Sequence, residues 1–252
     1  MIYIKTRDEI ERIRESNHIV AEALHYIKDF IKPGITTAEI NKEIENFILS
    51  RKGKPSFKGL YGFPASSCIS IQDEVVHGIP SSKRKLEKGQ IVGIDIGVEK
   101  NGYYGDAAYT FNVGGIDKKM EKLLRITEES LYLGIEKSKE NNRVGDISHA
   151  IQTHVEKNKF SVVRDLVGHG VGKKPHEDPQ IPNFGAANRG IPLKRGMVIA
   201  IEPMVNMGSH EVYFADDEWT VKTVDGLPSA HFEHSIAISE NGPDILSKLD
   251  GE

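Results

Sequence analysis

The sequence predicts an α+β domain over residues 1–252, built from two related halves at about 1–115 and 116–252. Each half begins with two stretches of apolar residues at helical spacing and continues with strand-like runs, and no long linker separates the halves. The second and fourth predicted helices carry apolar residues at an offset of 107 positions: Ile40, Ile44 and Ile48 against Ile147, Ile151 and Val155. Any two amphipathic helices can be aligned in this way, so the pattern leaves open whether the halves are a true duplication.

Two helices open the chain. Thr6 and Glu9 have the spacing of a capping box, and apolar residues at helical spacing follow as far as Ile31. A Lys-Pro-Gly sequence then ends this helix. Thr36 and Glu39 form a second capping box, which predicts the start of the second helix.

Strands and two further helices follow. Strands are predicted at 67–71, 91–98 and 104–113. Apolar residues return to helical spacing from about Lys118 and again over 146–157. The remaining predicted strands lie at 160–167, 197–205, 218–224 and 231–239.

Composition narrows the class of protein. The chain has 33 lysines and arginines against 37 aspartates and glutamates, a net charge of −4, and 38% hydrophobic residues. This balance indicates a globular protein and argues against a nucleic-acid or membrane-surface partner. Its single cysteine, Cys68, excludes an internal disulfide and a cysteine-only zinc site, and it fits a reducing compartment. We find no signal-peptide region and no membrane-length apolar run, so we expect a soluble, cytoplasmic protein.

The predicted strand at 91–98 carries a carboxylate on the face opposite its core face. One of its faces is apolar, whereas Asp95 lies on the other face between two glycines. Asn101-Gly102 is a strong hairpin signal, and a two-residue loop there pairs Asp95 with Ala108 and Gly97 with Asp106. Asp95 and Asp106 would then share one face, diagonal to each other at roughly 7 Å or less. A three-residue loop would place them on opposite faces.

Three more polar residues repeat this pattern. Glu202 shares a predicted strand face with Ala200, and His169 lies in a glycine-rich segment. Glu233 shares a predicted face with His231, Ser235 and Ala237. Buried and unpaired, each carboxylate would cost several kcal/mol, so either these residues face solvent or a cation lies among them. Four carboxylates match the charge of two divalent metals. Oxygen-rich ligands with one imidazole suit Mn, Fe or Co at least as well as Zn, and two-metal sites of this kind serve hydrolysis.

At these residues the sequence resembles the methionine aminopeptidases of peptidase family M24, specifically the short bacterial type I form. The matching segments are 68–71, 74–80, 93–95, 105–106, 168–172, 176–179, 201–204 and 232–234. The resemblance implies the pita-bread fold, in which two pseudo-symmetric halves, each with helices on a curved and mainly antiparallel sheet, enclose a dinuclear metal site. The 33 residues from His169 to Glu202 are too few for the helical insertion of the type II enzymes.

The resemblance also implies a role for each matching position. Asp95 would chelate one metal, Asp106 and Glu233 would bridge both, and His169 and Glu202 would hold the other. A metal-bridging water would attack the first peptide bond, with Glu202 as the proton shuttle. His77 and His176 match the histidines that contact the peptide and stabilise the tetrahedral oxyanion.

A methionine pocket is implied as well. Phe63, Cys68 and Trp219 fall where the family lines it, and Tyr61 is a further candidate. The sequence departs from common family members at Val76, where a second cysteine often stands, and at Pro175, where an aromatic often stands. Both departures bear on pocket size and leave the chemistry unchanged.

The expected function is therefore removal of the initiator methionine from nascent chains whose second residue is small. The expected partners are N-terminal methionine peptides and the ribosome, with a monomeric enzyme that binds two divalent ions (Co, Mn, Fe or Zn). One alternative is a proline-specific peptidase, which usually carries an extra N-terminal domain that we do not find. A second alternative is a binding protein of the same fold that has lost its metal site, but all five ligand residues are present. A third is a metal-storage or nucleic-acid module, which no basic stripe or metal-rich tract supports.

Overall fold

The computed structural model describes residues 1–249, and the last three residues of the predicted domain, 250–252, lie outside the described residues. Within residues 1–249 the chain forms four α-helices and fifteen β-strands. The helices are α1 Arg7–Ile27, α2 Thr37–Ser50, α3 Lys118–Lys137 and α4 Val144–Lys157. Short 3-10 turns lie at Lys28–Phe30 and Leu60–Gly62. The predicted α+β class is confirmed.

The strands are short except for one hairpin. In the first half they are β1 Lys54–Pro55, β2 Cys68–Ile71, β3 Glu74–Val76, β4 Ile91–Lys100 and β5 Tyr103–Asn112. In the second half they are β6 Ser161–Val162, β7 Gly168–Gly170, β8 Glu177–Ile181, β9 Val198–Ile201, β10 Met204–Asn206, β11 Val212–Phe214, β12 Val221–Thr223, β13 Ser229–His231, β14 His234–Ser239 and β15 Gly242–Ile245.

Both predicted capping boxes are confirmed. Thr6 and Thr36 each accept a hydrogen bond from the backbone of the glutamate three residues later, which binds back to the threonine backbone. The α-helix of the first box ends at Ile27 rather than near Ile31, because the chain tightens into the 3-10 turn that follows.

The long hairpin has the predicted register. β4 pairs with β5 so that Asp95 opposes Ala108 and Gly97 opposes Asp106. Asn101 and Gly102 both have positive φ, 54° and 79°, as a two-residue type I′ loop requires. β4 also pairs with β1 and β2, which completes a four-stranded antiparallel sheet.

The strands of the second half differ from the prediction in three places. Only Ser161–Val162 of the predicted 160–167 run is a strand. The 197–205 run breaks between β9 and β10, and the 231–239 run breaks between β13 and β14. At the first break Pro203 has no N–H for a strand ladder. The two breaks matter because they contain Glu202 and Glu233.

Two apolar cores underlie the sheets. One packs α1 and α2 against the four-stranded sheet of β1, β2, β4 and β5. The other packs α3 and α4 against the five-stranded sheet β15-β14-β9-β7-β8 and the three-stranded sheet β13-β10-β6. The same offset of 107 residues relates both the first and the last residue of α2 to those of α4. Their matched apolar residues are all fully buried.

Strand β5 joins the two cores through four hydrogen bonds. Ser235 Oγ donates to the Asp106 carbonyl at 2.8 Å, and the Glu233 N–H donates to the Ala108 carbonyl at 2.9 Å. Thr110 Oγ1 donates to the His231 carbonyl at 2.7 Å and accepts from the His231 N–H at 2.9 Å. Segment 231–235 therefore runs antiparallel to β5.

Among residues 1–249, no helix has the length and apolar character of a membrane span.

Candidate metal centre and active site

A cavity of about 820 Å³ opens between the two halves and is lined by every predicted metal, catalytic and pocket residue. Its lining includes Phe63, Cys68, His77, Asp95, Asp106, His169, His176, Glu202, Trp219 and Glu233. These ten residues come from segments spread along most of the chain, so the fold brings together what the sequence analysis predicted to be one site.

Asp95 and Asp106 enter the cavity from the β4–β5 hairpin. Asp106 is 4% exposed, and its backbone N–H donates to Oδ1 of buried Asn17 on α1 at 3.1 Å. Asp95 lies opposite Cys68 of β2 and Ala108 of β5. Because both partners are small, the neighbouring strands leave space beside this carboxylate.

Glu202 and Glu233 enter the cavity from the opposite half, and their positions differ from the prediction. Both lie in the breaks between strands, so neither shares a strand face with its small neighbours as predicted. The Glu202 carbonyl accepts a hydrogen bond from Asn183 Nδ2 at 3.0 Å. The hydrogen bond from Glu233 to Ala108 anchors the other break. We call Asp95, Asp106, Glu202 and Glu233 the carboxylate cluster.

His169 on β7 faces this cluster with one ring nitrogen. Its Nδ1 lies 3.0 Å from the Gly170 carbonyl, which can only accept, so the ring proton is on Nδ1. The lone pair of Nε2 then faces the cluster, 3.5 Å from Glu202 Oε1 and 3.9 Å from Asp106 Oδ2. A backbone hydrogen bond that fixes the tautomer in this way is typical of metal-binding histidines.

These residues fit divalent cations. Ligand atoms of Asp95, Asp106 and Glu233 lie within 4.8 Å of one another, as do those of His169, Glu202 and Glu233. Three oxygens in the first group, Asp95 Oδ1, Asp106 Oδ1 and Glu233 Oε1, are buried without a hydrogen-bond partner. Within residues 1–249 no lysine or arginine forms an ion pair with the cluster. Buried, unpaired carboxylate oxygens at this spacing suit a cation.

The electrostatics of the cluster favour the same conclusion. Burial raises the pKa of Asp95 to about 7. Burial together with the neighbouring carboxylates raises the pKa values of Asp106, Glu202 and Glu233 well above their ordinary values. Four carboxyl groups this close resist ionising together without compensating positive charge.

The histidines of the cavity are neutral near pH 7. Burial lowers the pKa of His77 and of His169 to about 4, and it lowers the pKa of His176 as well. A neutral imidazole has one lone pair and one N–H, so each of these rings can act as a ligand or as a hydrogen-bond donor.

His77 and His176 line the cavity from different segments of the chain. His77 follows β3 with φ of 59°, a left-handed conformation that is uncommon for a residue with a side chain. His176 lies just before β8, with its ring centroid 4.5 Å from that of His169 and 6.2 Å from that of Tyr61. Ligand atoms of His176, His169 and Asp106 also lie within 4.8 Å of one another, so geometry alone allows His176 a metal contact.

The predicted pocket residues form one apolar cluster beside the carboxylates. Phe63 and Trp219 make an edge-to-face contact with centroids 5.2 Å apart, and Cys68 packs in the same cluster. Burial and the nearby carboxylates raise the pKa of the Cys68 thiol, which stays protonated. Val76 lines the cavity, and so does Phe57, which the sequence analysis did not single out.

The sequence analysis missed one histidine. His231 is 3% exposed, its Nε2 has no hydrogen-bond partner, and that atom lies 3.7 Å from Glu202 Oε2. Its position two residues before Glu233 was a usable signal.

Comparison with known proteins identifies the family. A model of metallopeptidase family M24 matches residues 11–240. The chain belongs to this family. Its M24 relatives include the methionine aminopeptidase of Clostridium perfringens, which is 55% identical over 249 residues, covering 99% of this chain and 100% of that protein.

Solved structures agree on the fold of this M24 metallopeptidase. The methionine aminopeptidase of Thermotoga maritima matches with a TM-score of 0.97 at 45% identity, covering 99% of this chain and 100% of that one. A prolidase from Pyrococcus furiosus matches with a TM-score of 0.80 at 25% identity, covering 98% of this chain and 66% of that one. The predicted pita-bread fold and the use of divalent metal by this chain are confirmed.

Proposed function

We propose that this M24 metallopeptidase is a methionine aminopeptidase, which removes the N-terminal methionine from chains whose second residue is small. The main support is that one cavity contains two groups of residues. The first is the carboxylate cluster with His169, and the second is the apolar cluster of Phe63, Cys68 and Trp219. The first group suits metal-assisted hydrolysis, and the second suits an unbranched apolar side chain. The 55% identity to a methionine aminopeptidase supports the same activity.

Two divalent ions would be held by five residues. We assign Asp95 to one ion, His169 and Glu202 to the other, and Asp106 and Glu233 to both. This assignment agrees with two of the three groups of ligand atoms, the two that share Glu233. Oxygen-rich ligation with one imidazole suits Mn, Fe, Co or Zn. When bound, such ions supply Lewis-acid polarisation of the peptide carbonyl and activation of water.

The side chains around the ions would handle protons and the oxyanion. Glu202 has one carboxylate oxygen 3.5 Å from His169 and the other 3.7 Å from His231, so it lies within the cavity rather than at its rim. We assign it the transfer of a proton from the attacking water to the leaving amine. His77 and His176, neutral near pH 7, would each donate an N–H to the substrate peptide, and to the oxyanion as it develops.

The experiment that tests this function compares tripeptides. The metal-loaded enzyme should release methionine from Met-Ala-Ser, much more slowly from Met-Leu-Ser, and not from N-acetylated Met-Ala-Ser. Chelation should stop the reaction, and adding back the metal should restore it. Release of the first residue from Ala-Pro-Ser at a higher rate would instead indicate a proline-specific peptidase. Equal cleavage of the acetylated peptide would indicate an endopeptidase.

The remaining assignments concern the whole protein. We infer that residues 1–252 act as one peptidase domain with halves at about 1–115 and 116–252, supported by the shared offset of α2 and α4. We also propose that the protein is a cytoplasmic monomer that acts on nascent chains at the ribosome. The free, buried Cys68 fits the reducing environment of the cytoplasm. Sedimentation with and without translating ribosomes tests both the monomer and the docking.

A further inference from the structure

The N-terminal segment reaches the candidate active site through one buried ion pair. Lys5 lies just before Thr6, the residue that caps α1, and its side chain is 2% exposed. Its Nζ lies 2.8 Å from Oε2 of Glu177, whose side chain is 12% exposed. The Lys5 N–H donates to the Gly196 carbonyl at 2.8 Å, which fixes the backbone. A lysine this deeply buried is stable only when its charge is paired with good geometry.

Glu177 uses its other oxygen to close the loop that carries His176. Oε1 accepts hydrogen bonds from the backbone N–H groups of Lys173 at 2.8 Å and Lys174 at 3.2 Å. Glu177 is the first residue of β8, and His176 directly precedes it. The carboxylate therefore ties the start of the loop to its end, and Lys5 holds the carboxylate.

Gly172 shows how closely the ion pair is packed. A Cβ atom at this position would lie 2.6 and 2.8 Å from the two Glu177 oxygens and 2.8 Å from Lys5 Cε. Only a residue without a side chain leaves room for the pair. The Gly172 carbonyl accepts a hydrogen bond from the Tyr104 N–H at 2.9 Å, which connects the loop to the strand of Asp106.

We propose that the Lys5–Glu177 ion pair positions His176 for the reaction, so that both residues are positioning residues of the active site. Neither residue touches the carboxylate cluster, and neither has a part in the chemistry described above. Their effect passes through the loop backbone to the His176 ring, which lies against His169. This inference rests on the proposed role of His176 in binding the oxyanion.

Steady-state kinetics test the inference. Lys5→Met keeps the aliphatic stem and removes the charge, and we expect kcat to fall roughly tenfold to a hundredfold with little change in KM or metal content. In a His176→Ala background the same substitution should leave kcat unchanged. Glu177→Gln, which keeps the side-chain shape, should repeat this pattern and covers the case in which Lys5→Met fails to fold. Lys54→Met removes an exposed lysine that pairs with Glu99, away from the cavity, and should have no effect.

Hydrogen exchange supplies a readout that does not depend on activity. The amides of Lys173 and Lys174 should exchange faster in Lys5→Met and Glu177→Gln, but not in Lys54→Met. Unchanged exchange, unchanged kcat, or an equal loss of kcat in both backgrounds would overturn the inference, and the last would indicate a purely structural ion pair. A normal kcat in the single variant His176→Ala would instead refute the proposed oxyanion role of His176. This result distinguishes a failure of the proposed function from a failure of the positioning inference.

Discussion

The backbone N–H of Glu233 donates a hydrogen bond to the carbonyl oxygen of Ala108 at 2.9 Å, across the junction of the two halves. Ala108 lies opposite Asp95 and two residues after Asp106, so this bond fixes carboxylates from both halves relative to one another. The contacts between the two halves therefore set the relative positions of the carboxylates. A substitution that weakens these contacts should also disturb the geometry of the cluster.

Thr110→Val tests the contribution of this junction to stability. The Thr110 hydroxyl, 2% exposed, bonds to both the N–H and the carbonyl of His231. Valine keeps the shape but leaves two buried backbone groups unpaired, so we expect a loss of about 1–3 kcal/mol in the free energy of unfolding. Urea titration measures it. Thr127→Val is the matched control, because its hydroxyl bonds only within α3 to a carbonyl four residues earlier. Equal losses in the two variants would contradict the account.

Asp106→Asn tests the metal site while preserving shape. An asparagine offers only one oxygen and no charge, so it should bind two cations poorly, whereas the fold should persist. We expect a loss of activity greater than the roughly 10–100-fold seen when an outer partner of a metal ligand is removed. Metal content should fall in parallel. Exposed Asp8 provides the control, Asp8→Asn. An active Asp106→Asn enzyme with unchanged metal stoichiometry would exclude Asp106 from the site.

The two neighbouring histidines should behave differently when replaced by alanine. For His176→Ala we expect kcat to fall about 10²–10³-fold with little change in KM and normal metal content, as for the loss of one oxyanion donor. For His169→Ala we expect metal and activity to be lost together. Elemental analysis and kinetics distinguish these results, with circular dichroism as the folding control. If His176→Ala lost metal and His169→Ala kept it, the two roles would be reversed.

The stability of the metal-free protein should fall as the pH rises. A carboxyl group whose pKa is higher in the folded state stabilises the fold at low pH, and that contribution is lost as the pH rises towards the folded-state pKa. Asp95 has a folded pKa of about 7, and the pKa values of the other three cluster residues are well above their ordinary values.

The buried histidines act in the opposite direction, but only below their ordinary pKa of 6.5. Between about pH 6.5 and 8 the slope therefore reports on the carboxylate cluster. We expect the Tm of chelator-treated protein to fall across this range, and saturating metal to reduce the fall. Differential scanning calorimetry measures both. If the Tm of the metal-free protein stays constant or increases, positive charge in the protein already balances the carboxylates, which would contradict this prediction.

Local signals predicted the part of the site that depends on short-range geometry. The Asn101-Gly102 loop fixed the register of the hairpin, and with it the shared face of Asp95 and Asp106. The breaks at Glu202 and Glu233 were missed, because apolar runs on both sides suggested continuous strands. Pro203 was a usable signal there. The contacts of Thr110 with His231 were not predictable, since nothing local to either residue specifies a partner more than a hundred residues away.

Anomalous diffraction from crystals grown with Mn²⁺ tests directly whether the carboxylate cluster and His169 hold divalent metal. We expect two peaks about 3.5–4 Å apart, both close enough to Asp106 and Glu233 for these carboxylates to be ligands. A single peak between those residues would retain the metal site with one ion. Full methionine release from Met-Ala-Ser together with no peak near Asp106 would contradict the account.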